Sequence, residues 1–312
     1  MQSGLVYAAL AFVWWGLFPL YFRIVTTVAP AQILANRVVW CLVFLTVVLS
    51  LRRQWGWLPA VLRQPKVLAA FTASALLIGA NWLAYIWAVS RGHVIEASLG
   101  YFITPLVNVL LGVTLLHERL RRAQWVALAL AAAGVLWLTL QAGRPPWIAL
   151  SLAVTFGGYG LLRKIAVLGA IEGLTLETLL LAPIALFVLV IAAWQGTASF
   201  PAPDALTNGW LLLLGPITAV PLLLFAAGAR RLSMATLGIV QYLGPSIQFV
   251  IGLTVFDEPF SAARLVGFAG IWLALAVYSF DGWRVSRRAA ALTPAQRTAQ
   301  AATASGAELR IR

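Results

Sequence analysis

Arg37 is a permanent charge inside an apolar run, and a charge so placed costs at least ~2.5 kcal/mol on insertion scales. Two arrangements offset that cost. Either the guanidinium faces a partner or a water-filled cavity within a helical bundle, or it snorkels along its stem to the head groups. The second is open because Arg37 lies only about five residues, roughly 8 Å, from where the run begins. Asn36 precedes it, and Trp40 follows at i+3 on a neighbouring face.

A second concentration of polar and aromatic groups falls at Asn81, Trp82, Tyr85 and Trp87. Asn81 and Tyr85, at i and i+4, put an amide and a phenol on one helix face. Tyr101, Asn108, Gln241, Tyr242 and Gln248 extend the same chemistry along two later runs. Aromatic walls carrying a few placed polar groups are what a pocket for a small organic molecule needs. The alternative is polar glue between packed helices, which membrane bundles use freely.

Carboxylates are scarce enough to take singly. Glu96 and Glu177 stand near the starts of their runs, where a negative charge meets the helix amino terminus favourably. Glu118 and Glu258 end two runs, and Glu118 has Arg121 and Arg122 close in sequence. Each serves either to anchor a helix end or to couple a proton, and spacing singles out none. His93 and His117 lack a nearby second ligand type, so no metal site is expected. No Walker loop, His-Glu-x-x-His, Cys-x-x-Cys or Gly-x-Ser-x-Gly string is present, which argues against an enzyme and against an ATP-driven pump on this chain alone.

The elements that hold these groups follow from composition. Of 312 residues, 62% are hydrophobic and only 10% charged, with a mean hydropathy of +0.92. A soluble domain carries about 25% charged residues. The chain therefore reads as an all-α integral membrane protein. Ten runs are long enough to span, near 4–22, 32–51, 67–89, 97–116, 124–141, 147–163, 176–194, 209–229, 235–256 and 263–282. Basic residues crowd alternate loops: Arg52, Arg53, Arg63, Lys66, Arg119, Arg121, Arg122, Arg163, Lys164, Arg230, Arg231 and six in the carboxy-terminal tail. The opposite loops hold only Arg23, Arg91, Arg144 and Arg264, so both termini are expected in the cytoplasm. That placement explains the +13 net charge without nucleic acid. Trp55, Trp57, Trp147, Trp194, Trp210 and Trp283 read as interfacial anchors. Cys41 reads as an inert core residue. Residues 284–312 have little to bury and read as a basic tail, disordered or lying against anionic lipid.

Two of the runs are copies of one another. Aligned on Pro105 and Pro245, Gly112 pairs with Gly252, Thr114 with Thr254, Glu118 with Glu258 and Asn108 with Gln248, all at an offset of 140. Residues 15–20, containing Pro19, resemble 156–161 at an offset of 141, and 97–100 match 235–238 at 138. A change of offset from 138 to 140 demands two extra residues before Pro245. Five spans per half is an odd number, so the second half, 146–283, enters the membrane inverted relative to the first, 1–141. Pro within a spanning helix frees backbone groups and bends it. Interrupted helices at matching places in two halves point to a transporter-like site between them. Pro19, Pro105, Pro245, Gly112 and Gly252 are the expected bend or gate positions.

Four strings, 15–22, 79–82, 96–102 and 241–245, resemble the RarD-like permeases of the EamA type in the drug/metabolite transporter superfamily. The resemblance runs over residues 4–285. It implies ten helices as two inverted five-helix repeats around a central cavity, alternating access, and residence in the bacterial inner membrane. The family is described by chloramphenicol sensitivity. Positions carried by the matching strings and the Arg37 motif are Arg37, Asn81, Trp82, Glu96, Tyr101, Gln241 and Tyr242. The chain departs from the family pattern at Gln32, where an acid is usual, and at Asn36, where a His is usual. The expected partners are a small organic solute, anionic or amphipathic, the lipid bilayer, and a coupling proton or counter-solute. No cofactor or nucleic acid is called for. A channel or scramblase-like bundle, or a regulatory membrane subunit without transport of its own, remain the rival readings.

Overall fold

The computed structural model describes residues 2–22, 28–90, 94–142, 147–255 and 262–291. Among them there are only helices and their connections. In chain order these are α1 (Gln2–Gly16), α2 (Phe18–Phe22), α3 (Pro30–Leu51), α4 (Leu58–Leu62), α5 (Pro65–Ser90), α6 (Val94–Leu115), α7 (Arg122–Ala142), α8 (Trp147–Ile165), α9 (Ala170–Trp194), α10 (Ala205–Ala229), α11 (Met234–Gln241), α12 (Leu243–Val255) and α13 (Ala262–Ala291). Eight stretches are long and apolar enough to cross a membrane: 3–21, 30–51, 65–88, 122–141, 147–165, 170–194, 205–229 and 265–285. Leu99–Leu115 in α6 is a shorter apolar helix, and the run expected at 235–256 is split into α11 and α12.

Several boundaries differ from the sequence expectation, each for a physical reason. Helix α9 starts at Ala170, not 176, after an extended Gly169. Glu172, Gly173 and Thr175 lower the hydropathy of that first stretch, yet Gly173 and Thr175 are buried against the bundle. Glu177 is therefore inside a helix rather than at its start. Arg163, expected in a basic loop, is in the last turn of α8 and fully buried. Residues 284–291, expected as disordered tail, continue α13 as helix, and 292–312 lie outside the described residues. Trp210, expected as an interfacial anchor, packs edge-on to Tyr21 and accepts its hydroxyl at the backbone carbonyl, 2.6 Å. Trp194 and Trp147 do face outward.

The matching prolines act differently. Pro105 sits within a continuous α6, whereas the chain breaks at Tyr242, three residues before Pro245. That break lies between Gly238 and Pro245, where the two extra residues were required. Pro19 follows a similar break at Leu17.

Packing is dominated by contacts between the first half of the chain and the second. α3 lies on α9 and α10, α1 on α10, α11 and α12, α5 on α8 and α9, α6 on α8 and α11, and α7 on α13. Small residues allow this close approach, as in other helix pairs formed in lipid. A Cβ at Gly134 would stand 2.7 Å from the Gly267 carbonyl across α7–α13, and one at Gly238 would stand 2.7 Å from the Pro105 carbonyl across α6–α11. The main core gathers Phe12, Cys41, Leu45, Ile78, Trp82, Phe156, Tyr159, Leu222 and Phe225 from α1, α3, α5, α8 and α10. Outward faces carry Leu, Val, Phe and Trp side chains, as a lipid-facing surface requires.

Candidate functional site

Arg37 lies seven residues into α3, about 10 Å from its start. Its side chain turns into the bundle rather than along the surface and is 6% exposed. The guanidinium rests 4.3 Å over the Trp82 ring of α5 and 5.6 Å from the Phe18 ring of α2. Its Nε donates to Thr218 Oγ1 on α10 at 2.9 Å. Tyr101, Cys41, Tyr85 and Tyr21 are the titratable groups within electrostatic reach of the charge. Among the residues whose side chains are described, no carboxylate pairs with it, and the Thr218 bond is its one hydrogen bond. Tyr85 and Tyr101 stand ring to ring at 5.7 Å, joining α5 to α6 beside it. Five elements thus meet here: α3 carries the cation, α2 and α5 set aromatic faces against it, α5 and α6 add the paired tyrosine rings, and α10 supplies a hydroxyl. The cation–π contacts are strong for a desolvated charge.

Other expected site residues fall elsewhere. Asn36 spends its amide within α3, donating to the Gln32 carbonyl and accepting from Trp40 Nε1. Gln32 and Trp40 face the connection after α9: Gln32 donates to the Thr197 carbonyl and accepts from the Ser199 amide, and Trp40 meets Phe200 edge-on at 5.2 Å. This stripe docks a loop and is not part of the Arg37 box. Asn81 donates to the Leu152 carbonyl and to Thr155, both at 2.9 Å, and so ties α5 to α8. Tyr242 is fully buried in a second core with Phe102, on which it stacks at 6.4 Å.

Asn108 and Gln241 do meet. The Asn108 amide donates to Gln241 Oε1 at 2.9 Å, linking α6 to the end of α11. Asn108 Oδ1, although buried, has no hydrogen-bond partner among the described residues, and it faces Gly157 of α8. Gln248 instead reaches α1, where its Nε2 donates to the Trp15 carbonyl at 3.1 Å. That carbonyl would normally bond the amide four residues on, which is Pro19 and has none. Gln248 therefore satisfies the acceptor that Pro19 orphans.

Glu118 caps α11 rather than pairing with Arg121 or Arg122. Its two oxygens accept from the backbone amides of Met234 and Ala235, at 2.8 and 3.2 Å, and Lys164 Nζ stands 3.6 Å away. Lys164 also donates to the Leu232 carbonyl. Arg121 pairs with Asp281 of α13 at 2.6 Å. Gly112 leaves room for this cap, since a Cβ there would stand 2.7 Å from Glu118 Oε2. Glu96 and Gly252 lie in α6 and α12, but their surroundings are not described; Glu258 lies outside the described residues. Glu177 pairs with Arg163 in a buried cluster.

A groove of about 450 Å³ opens at the two helix breaks, lined by Leu17, Leu20, Leu243, Ile247, Val250 and Trp272 among others. None of the expected cavity residues lines it. Sequence reasoning missed Thr218, Arg163, Ser74 and Tyr159. Thr218 carried a usable signal: it lies between Pro216 and Pro221, prolines within an apolar run being a pointer to binding sites in transporters, although α10 runs through both unbroken.

Residues 2–140 match the EamA-like transporter family. An uncharacterised transporter of Pseudomonas aeruginosa is 47% identical to this chain, over 92% of it and 97% of that protein. The protein RarD of Escherichia coli is 42% identical, over 92% and 97%. One crystal structure shares the fold, with a TM-score of 0.67 at 21% identity, covering 88% of this chain and 96% of that one.

Proposed function

This chain belongs to the EamA-type transporters and, among them, to the RarD-like permeases, and from that premise we propose a secondary transporter that moves a small organic solute, anionic or amphipathic, by alternating access. The observation that carries the solute reading is Arg37. A buried guanidinium set against aromatic faces is a planar donor fork of the kind that binds a ligand carboxylate or phosphate. Trp82, Phe18, Tyr85 and Tyr101 supply the faces on which an apolar or aromatic body rests.

Ten spanning helices in two inverted halves, 1–141 and 146–283, with both termini cytoplasmic, complete the proposal. What supports the repeat is the exchange symmetry of the packing. Exchanging each element of one half for its counterpart turns the α6–α8 contact into that of α11–α12 with α1. The same exchange turns α5–α8 into α10–α1 and α3–α10 into α9–α5, while α3–α9 and α7–α13 map onto themselves. Rocking of one half on the other would then expose the Arg37 box to each side in turn, with the Pro-containing α6 and the broken α11–α12 as gates.

The test is counterflow in vesicles reconstituted with the full chain and loaded with a bacterial metabolite extract, read by mass spectrometry. Saturable exchange of a carboxylate- or phosphate-bearing solute is expected, lost in Arg37→Ala while cooperative thermal unfolding persists. Flux that never saturates and shows no counterflow would favour a channel. Unchanged exchange in Arg37→Ala would remove that residue from the mechanism.

A further inference from the structure

A second buried charge cluster takes no part in the solute site above. Glu177 lies seven residues into α9, about 10 Å from its start, and is 1% exposed. Its carboxylate accepts from the Ser74 hydroxyl of α5 at 2.5 Å and from the Tyr159 hydroxyl of α8 at 3.5 Å. Arg163 of α8, 0% exposed, brings Nη1 to 3.6 Å from Oε1. Cys41 of α3 is a further titratable group within electrostatic reach of it. Among the described carboxylates Glu177 alone is buried.

The pair is looser than a structural ion pair of this depth should be. A buried pair is self-sufficient only when its geometry is close and its remaining donors are bonded. Here the separation is beyond hydrogen-bond length, and Arg163 Nε and Nη1 have no hydrogen-bond partner among the described residues. Arg163 meanwhile keeps acceptors independent of Glu177, because its Nη2 donates to the carbonyls of Ala170 and Gly169 at 3.1 and 3.4 Å. Gly173 reserves the space it occupies, since a Cβ there would collide with the guanidinium and with Phe71. Neutralising Glu177 thus leaves Arg163 held at the α8–α9 connection instead of stranded.

Two helices connect this cluster to the Arg37 box. On α5, Ser74 and Trp82 are separated by eight residues, about 12 Å along one stripe, with buried Ile78 between them. On α3, Cys41 follows Arg37 at i+4 and lies within electrostatic reach of both Arg37 and Glu177.

We infer that Glu177 is a proton-binding carboxylate whose charge state is transmitted through α5 and α3 to the Arg37 box, making the proton the coupling ion. A proton from water adds to a carboxylate oxygen, no other bond breaks, and the Glu177–Arg163 pair passes from net neutral to one positive charge. The Ser74 bond to the carboxylate weakens, freeing α5 to shift. The coupling role rests on the transporter reading; the proton site does not.

The experiment uses the full chain in lipid nanodiscs, without solute, and records infrared difference spectra through a pH titration. A protonated-carboxyl stretch is expected to appear as pH falls and to vanish in Glu177→Gln. Ser74→Ala removes a donor to the charged form and should raise the titration midpoint by about one pH unit. Hydrogen exchange in residues 74–82, corrected for its intrinsic pH dependence, should rise with the same midpoint. A titrating band that survives in Glu177→Gln, no titrating band in the native chain, or a band without the exchange response would each overturn the inference. Should Glu177→Gln fail to fold, a midpoint unmoved by Ser74→Ala does so by itself. Absence of solute flux alongside an intact proton band would instead count against the transporter reading alone.

Discussion

The rings of Trp15 and Phe156 meet edge to face with their centroids 5.6 Å apart. These two residues are counterparts at the offset of 141, so each touches its own equivalent in the other half of the chain. In the proposed two-repeat arrangement, a position that touches its own counterpart would lie on the axis relating the halves, as in an isologous interface. Around this point gather Phe12, Tyr159 and Phe225, each ring within 6.0 Å of a neighbour. Of the helices bearing these rings, α10 also carries Thr218, the hydrogen-bond partner of Arg37.

The pairing of Gln248 with the carbonyl left free by Pro19 gives a double-mutant test. Gln248→Leu should cost about 0.5–1.5 kcal/mol, because a part-buried carbonyl loses the donor that stands in for the missing Pro19 amide. Pro19→Ala restores an amide at the position that helix geometry assigns to that carbonyl. In the double variant the cost of Gln248→Leu should fall by more than 0.5 kcal/mol, roughly the lower bound for coupled neighbours. Unfolding in bicelles measures the cycle, and strict additivity would refute the relationship.

Gly173→Ala should destabilise the protein by about 1–3 kcal/mol, since its Cβ meets the Arg163 guanidinium and stands 2.8 Å from the Phe71 ring. Gly209→Ala in α10 provides the contrast. Nothing stands within 4 Å of its added Cβ, so helix propensity alone predicts a gain of about 0.5–1 kcal/mol. Thermal unfolding of the two variants should move in opposite directions.

Glu118→Ala removes the carboxylate that caps α11 and balances Lys164, at an expected cost of about 1 kcal/mol. Amide exchange of Met234 and Ala235 should quicken selectively. Protection unchanged at these two amides would show that the cap contributes nothing.

Asn108 and Gln241 bond directly across α6 and α11, so replacing both by Ala should be less damaging than the sum of the single changes. The coupling expected of a hydrogen bond inside a membrane bundle is about 0.6 kcal/mol, with about 1.7 as an upper bound. The same cycle measured on solute exchange separates a structural tie from a gate contact: a gate contact couples in flux as well as in stability.

Much of this architecture is legible in the chain itself. An apolar run must become a helix in lipid, because no other single segment satisfies its own backbone. Composition and run length therefore place α3, α5, α7 and α8 within a few residues of where they are found. Repetition marks Pro105 and Pro245, and the change of offset locates the break at Tyr242. Arg37 stands out because an isolated charge in such a run needs a reason.

Partner choice was not legible. Glu118 stands beside Arg121 and Arg122 in the chain yet meets Lys164 and the amides of α11, while Arg121 goes to Asp281. Glu177 looked like a helix start and is a buried acid facing Arg163, Ser74 and Tyr159. Asn36 and Arg37 are adjacent and serve different neighbours. The sequence by itself determined that this is a membrane-spanning helical bundle with matching apolar strings along its two halves and one unexplained cation. Only the tertiary structure decided which polar groups meet, because those pairs join helices far apart in sequence, where neither helical periodicity nor hydropathy carries information about the facing residue.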